Sequence, residues 1–228
     1  MAKTKGVIDL VILVDNTGSM SGVIGQLKSN IIGFIDTLTS AGGQIRNPVK
    51  DWRAKVVGFG DVAADRERWW SDAPFTSDKD ELKAQVSGLS LIGGGDEPES
   101  FLDALWMLTA MKEGGANGIA GPGEWRARTE TARIIAAFTD ASAHPRCQLP
   151  EANGASATEI AERLMQARIR MTFYAPSDPT HAAIAGAKDC QQEVTEDLGA
   201  IAASAGSFNR LLEQLAKTVS DVAAVKTA

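Results

Sequence analysis

Four short apolar runs recur along the chain: GVIDLVILV at Gly6–Val14, KVVGF at Lys55–Phe59, RIIAAF at Arg133–Phe138 and IRMTFY at Ile169–Tyr174. Each is nearly continuous and rich in β-branched or aromatic residues, the pattern of strands buried on both faces of a parallel sheet. Arg66–Trp70 alternates weakly and reads as a short edge strand. Between these runs the period changes. Val23, Ile24, Leu27, Ile31, Phe34, Ile35 and Leu38 form one stripe at helical spacing, and Ala41-Gly42-Gly43 with Asn47-Pro48 break it. Ser77 is placed to cap a helix running to about Leu89, with Asp78 and Asp80 in its first turn. Pro98 suits the first turn of a helix over Glu99–Met111. Gly114–Gly123 holds five glycines and a proline within ten residues and reads as a connection.

Thr158–Ala167, Asp197–Ala205 and Arg210–Val225 complete the helical stretches, the last carrying Leu211, Leu212, Leu215, Val219 and Val222. Strands alternate with helices throughout. The expected fold is therefore α/β: three layers, with a doubly wound, mostly parallel sheet covered by helices on both faces. No internal repeat and no linker divides the chain, so a single domain over residues 1–228 is expected.

Composition narrows the function classes. At 228 residues, with 44% hydrophobic and 23% charged residues, the chain is long enough for a sizeable core and is neither disordered nor fibrous. A net charge of −6 argues against a nucleic-acid surface, whose usual footprint is basic. In MAKTKGVIDLVILVDN the apolar stretch is broken by Asp9 and ended by Asp15, leaving Leu10–Val14 uninterrupted. A signal peptide needs roughly 7–15 apolar residues and a membrane span about 20. A cytoplasmic protein without membrane insertion is the expectation, although a chain whose leader had been removed would read the same. Two cysteines and two histidines make a Cys/His zinc site improbable. Cys147 and Cys190 fall in loop-like stretches and are expected to stay reduced.

In a doubly wound sheet, ligands bind beyond the carboxyl ends of the strands, so the residues that follow the apolar runs carry the chemistry. After the first run comes Asp15-Asn16-Thr17-Gly18-Ser19, with oxygen-bearing side chains at i, i+2 and i+4. A tight turn can aim that carboxylate and those two hydroxyls at one centre. GGGDEPES adds Asp96 and Glu99 beside glycines that permit close backbone approach, and Asp140 follows RIIAAF. The set is hard oxygen throughout, which suits Mg²⁺, Mn²⁺ or Ca²⁺. These protein ligands do not fill an octahedron, so one position stays open to an outside oxygen donor.

These three motifs, in this order, resemble the von Willebrand factor A (vWA) domain family over essentially the whole chain. Asp15-Asn16-Thr17-Gly18-Ser19 is similar to its D-x-[ST]-x-S motif, the first part of the metal-ion-dependent adhesion site (MIDAS). GGGDEPES resembles the D-x-P-E loop of the integrin β-subunit version and of many bacterial members, and FTDASAH the T-D-A-x-x-H segment of the same subgroup. The resemblance implies a six-stranded sheet, with Thr17 and Ser19 as hydroxyl ligands and Asp15 and Asp140 binding the ion directly or through water. It implies Glu99 as a further ligand and gives Asp96 a weaker place in an auxiliary calcium site. Two departures matter: Met20-Ser21-Gly22 lacks the Asp pair of one flanking calcium site, and Gly94 replaces an asparagine ligand of the other.

The function implied is a metal-dependent protein-binding module that captures an Asp or Glu carboxylate of a partner protein, and not an enzyme. Two other readings stay open. A Mg²⁺-dependent phosphotransferase also places an aspartate after its first strand, but Thr17 occupies the position of its second acidic residue, and no G-x-S-x-G elbow or Walker A loop is present. A scaffold with a purely structural metal is the third reading. Asp61 follows the second run and has two readings, the rim of the site or a solvated loop, of which the solvated loop is expected; His144 is expected to be a hydrogen-bond donor that orders its loop. Trp106 is expected in the core, and Trp69 and Trp70 on opposite faces of their strand.

Overall fold

The computed structural model describes residues 7–39, 51–93, 97–114, 119–195 and 197–199. The expected helices at Asp197–Ala205 and Arg210–Val225 lie wholly or largely outside them. Among the described residues, six strands form one sheet: β1 (Val7–Asp15), β2 (Asp51–Phe59), β3 (Trp70–Asp72), β4 (Ala132–Phe138), β5 (Ile169–Ala175) and β6 (Cys190–Val194), in the order β3-β2-β1-β4-β5-β6. All neighbours run parallel except β2 and β3. The chain steps outward from β1 to β2 and β3, then crosses back to β4 on the other side of β1. Strand order therefore reverses between β1 and β4.

Side-chain alternation along β1 divides the interior into two cores. Val11 and Leu13 face one core, with Val57, Phe59, Ile135, Ala137, Met171 and Phe173. Ile8, Leu10, Ile12 and Val14 face the other, with Val56, Ile134, Ala136 and Phe138. Helices α1 (Ile24–Thr39) and α3 (Lys79–Gly88) cover the second face through Leu27, Ile31, Phe34, Ile35, Leu82 and Val86. Helices α4 (Phe101–Ala110), α5 (Ala157–Gln166) and α6 (Pro179–Ala185) cover the first. A short helix, α2 (Val62–Asp65), follows β2. Burying each of these aliphatic side chains stabilises the fold by about 1.5–3 kcal/mol, which is why β1 has no solvent-facing side. Among the described residues, no helix is long and apolar enough to cross a membrane.

Several expectations shift. Arg66–Arg68 is a 3-10 turn, and Trp69 has helical backbone angles, so alternation begins only at Trp70. The two indoles therefore do not straddle the sheet; they meet at 5.4 Å and both pack on the same core. Trp106 is only partly buried, with the Arg163 guanidinium 5.3 Å from its ring centroid, whereas Trp125 is fully enclosed and donates to the Leu108 carbonyl. Asp78, not Ser77, caps α3 through the Asp80 and Glu81 amides. Helix α4 begins at Phe101, so Pro98 lies in the preceding loop and not in the first turn. α6 is short, with Ile184 its one large aliphatic residue, and β6 is mostly polar, so neither shows a clear pattern; Cys190 opens β6 instead of lying in a loop. Both cysteines are free thiols.

At the amino ends of the strands, Asp9 is enclosed within the sheet (0% exposed). Its carboxylate accepts from Arg53 at 2.8 and 2.9 Å and from the Nε and backbone N–H of Arg126 at 2.7 Å each. Arg126 also reaches Asp51, and Arg53 and Arg133 bind carbonyls of the segment 121–126, tying that connection to the sheet. Removing the carboxylate would leave two largely buried guanidinium groups short of a counter-charge. Asp9→Ala is expected to lose about 3 kcal/mol or more of unfolding free energy in a urea titration; a loss under about 1 kcal/mol would show that the remaining carbonyl contacts suffice.

Candidate metal centre

Asp15 is the last residue of β1 and Asp140 lies two residues beyond β4, so both stand at the point where strand order reverses, where doubly wound sheets bind ligands. The turn after β1 is pinned by its own second residue. The Asn16 amide N–H donates to the Phe59 carbonyl at 3.1 Å, its side-chain Nδ2 to Ser90 O at 2.7 Å, and its carbonyl accepts from Ile92 N at 2.8 Å. With these three contacts spent on β2 and the loop after α3, the flanking side chains are left to face each other.

They form a continuous run of oxygens. Asp15 Oδ1 accepts from Thr17 N at 3.0 Å and Thr17 Oγ1 at 2.7 Å; Thr17 Oγ1 and Ser19 Oγ lie 3.0 Å apart; Ser19 Oγ donates to Asp140 Oδ1 at 2.9 Å. The other Asp15 oxygen accepts from Thr139 Oγ1 at 2.6 Å. The run climbs from a floor at Asp15 and Thr17, both 0% exposed, to Ser19 at the surface. Burial pushes the Asp15 carboxyl up to about 6, against the hydrogen bonds of Thr139 and Thr17 that favour its charge. Burial also raises Asp140, helped by the nearby charge of Glu97 and opposed by the Ser19 hydrogen bond.

Glu99 is 3% exposed, in the loop before α4. Its backbone forms a parallel bridge to Ala143: Glu99 N donates to Ser142 O at 2.9 Å and its carbonyl accepts from His144 N at 3.0 Å. The Glu99 loop thus runs beside the Asp140 loop. Asp96 lies outside the described residues. Gly93, the first glycine of that loop, has φ +31°, and a Cβ there would sit 1.5 Å from Asp65 Oδ1, so only glycine fits.

Three residues here escaped the sequence reading. Thr139 is the threonine of the T-D-A-x-x-H segment but has no role in the sequence reading, and nothing in the pattern tells Glu97 from an ordinary loop position. Glu97 Oε2 accepts from Ser142 Oγ at 2.9 Å, which holds a third carboxylate near Asp140. Asp61, expected in solvent, is 6% exposed: it caps α2 through Ala63 N and Ala64 N and meets His144 Nε2 at 2.5 Å. Burial would raise its carboxyl, but the Ala64 amide and His144 outweigh that and hold it below the usual range.

Among the described residues, no three His, Cys, Asp or Glu side chains form a group that could hold an ion. A cation here would therefore depend on hydroxyls as much as carboxylates, and the donor set suits one. Oxygens about 2.1 Å from Mg²⁺ at right angles are about 3 Å apart, and the successive separations of 2.7, 3.0 and 2.9 Å match such an edge-sharing run. The main influences on the Asp15 and Asp140 carboxyls are burial, hydrogen bonds and neighbouring acidic charge.

No protein-family model matches the sequence, and no curated protein is similar to it. Solved structures are. Proximal thread matrix protein 1 from the mussel byssus superposes with a TM-score of 0.60 at 13% identity, covering 96% of this chain and 48% of that one. Another structure of that protein, described as having a zinc-occupied MIDAS motif, gives 0.55 at 15% identity over 93% and 47%. The pilus adhesin SpaC from Lactobacillus rhamnosus GG gives 0.60 at 12% identity over 94% and 31%. This chain thus spans about half the length of the first protein and a third of the second. Identity this low carries the fold alone: an α/β, vWA-like fold built on a six-stranded, mostly parallel sheet.

The raised Asp15 carboxyl sets a pH dependence. The unfolded carboxyl ionises near 3.9 and the folded one near 6, so between those values the folded state binds more protons. Metal-free stability is full below about 4 and falls as pH rises to about 6, by on the order of 3 kcal/mol. Asp15→Asn keeps the shape, and the Thr139 hydroxyl can turn to accept from the new amide. The variant is expected to melt higher than wild type at pH 7 without metal, and equal or lower at pH 4. Parallel melting-pH profiles for the two would show that the burial of this charge is compensated elsewhere.

Proposed function

We propose that this chain is a metal-dependent protein-binding module of adhesion or scaffold type, and that Asp15, Thr17, Ser19, Asp140 and Glu99 hold a divalent cation. The observation that carries this reading is the run Asp15–Thr17–Ser19–Asp140, drawn from two adjacent strand ends at the switch point. When bound, the cation supplies an electrophilic centre for a carboxylate oxygen of a partner's Asp or Glu. Asp15, fixed by Thr17 and Thr139, contributes the buried negative charge that favours a cation over water. Thr17 and Ser19 supply neutral oxygens, which limit the negative charge around the ion. Ser19 and Asp140, nearest the surface, leave the approach from solvent to the partner. Mg²⁺, Mn²⁺ and Ca²⁺ fit oxygen donors of this kind, and the zinc-occupied MIDAS of the mussel protein adds Zn²⁺ to the ions worth testing.

Binding suits these residues better than catalysis. Both structural neighbours named above are an adhesin or a matrix protein by description, and neither histidine is bonded to the hydroxyls of Thr17 or Ser19 in the way a nucleophile–base pair of the Ser–His type requires. Two measurements test the reading. Calorimetric titration with Mg²⁺ and Mn²⁺ should show saturable binding by wild type, weakened at least 100-fold in Asp15→Ala. A peptide array in which each Asp or Glu is paired with its amide counterpart should show Mn²⁺-dependent capture of the carboxylate form, abolished by chelation and by Asp140→Ala. Equal metal affinity in wild type and Asp15→Ala would overturn the site, and capture indifferent to chelation would overturn the mode of binding.

A further inference from the structure

Glu99, Ser100, Asp61 and His144 close a ring of contacts. The His144 amide donates to the Glu99 carbonyl at 3.0 Å. Through its ring, His144 Nε2 meets Asp61 Oδ2 at 2.5 Å, and the same oxygen accepts from Ser100 Oγ at 3.2 Å. Ser100 is the residue after Glu99, so the ring returns to its start. Two further bonds brace it: Val62 N donates to Ser100 Oγ at 3.0 Å and Ser100 N to the Gly60 carbonyl at 3.3 Å. The ring joins the loops after β2, before α4 and after β4.

We propose that His144 and Asp61 are positioning residues that hold Glu99 in place as a metal ligand, an inference that rests on the metal-site reading above. The geometry gives each partner one task. Asp61 spends one oxygen on the amino end of α2, which fixes it relative to β2, and spends the other on Ser100 and His144. His144 holds the Glu99 carbonyl with its own amide while its ring meets Asp61, so the imidazole contact ties the loop after β4 to the loops that flank Glu99. Ser100 is 0% exposed and cannot exchange these partners for bulk water. A ligand on a loop binds well only when the loop's conformational freedom has already been removed, and partners that orient ligands commonly control affinity by 10- to 100-fold.

The test uses Mn²⁺, because its affinity and its number of coordinated waters both come from water-proton relaxation. His144→Phe is expected to bind Mn²⁺ roughly 10- to 100-fold more weakly and to carry one more water at saturation, the same signature as Glu99→Gln. His144→Gln, whose amide can still donate toward Asp61, is expected to recover most of the affinity and the wild-type water count. Ser100→Ala cuts the ring at a second point and should shift both readouts the same way by less; it serves if His144→Phe does not fold. Wild-type affinity and water count in both ring variants would overturn the positioning role, as would weaker binding with no added water, which is the mark of general loosening. No Mn²⁺ binding by wild type would overturn the metal-site reading itself, and a wild-type Glu99→Gln beside a weakened His144→Phe would remove Glu99 from the ligand set.

Discussion

A carboxylate that ends a strand buried on both faces must be stabilised by whatever its neighbours present, because water cannot reach it. Asp15 is in this position, and the end of the sheet around it is organised accordingly. Thr17 turns back to supply a hydroxyl and an amide, Thr139 arrives from β4 with a second hydroxyl, and Asn16 turns away to fasten the loop elsewhere. These donors are all neutral. They lessen the unfavourable burial of the charge without cancelling it, and the carboxyl stays raised. Partial compensation of this kind is characteristic of functional sites.

The same strand holds a contrasting case. Asp9, six residues earlier and equally buried, receives two arginines and a backbone amide. Both aspartates interrupt an apolar run and both lie in the plane of one sheet. One is fully answered by guanidinium charge and stitches a long connection to the strands; the other is left with hydroxyls and amides at the carboxyl edge of the sheet. Charge compensation, more than burial, separates the two aspartates. The vWA-like fold shared with a byssal matrix protein and a pilus adhesin at 12–15% identity adds context but does not assign function, which resides in the site and not in the architecture.

Much of this was legible in the chain before any coordinates. The four apolar runs at Gly6–Val14, Lys55–Phe59, Arg133–Phe138 and Ile169–Tyr174 each lie within a residue of a strand or inside one, because a strand buried on both faces has few polar positions to blur its pattern. Where burial is one-sided or short, the pattern weakened. The edge strand moved from Arg66–Trp70 to Trp70–Asp72, since a 3-10 turn consumed its first residues, and β6 gave no signal because most of its residues are only partly covered. Asp15, Thr17 and Ser19 were readable as a group because one tight turn carries all three, and Asp140 because it follows the end of a buried apolar run.

What local sequence determined, then, is which residues must be buried in strands and which oxygens follow them, since both depend on neighbours within a few positions. What only the tertiary structure decided is how residues distant along the chain answer one another. Thr139 beside Asp15, Glu97 beside Asp140, and the closure of Asp61 on His144 and Ser100 join loops separated by about 40 to 120 residues. A hydrogen bond of that range leaves no periodicity in the sequence: it depends on the register of parallel strands, which sets how far each strand projects its terminal residues beyond the edge of the sheet.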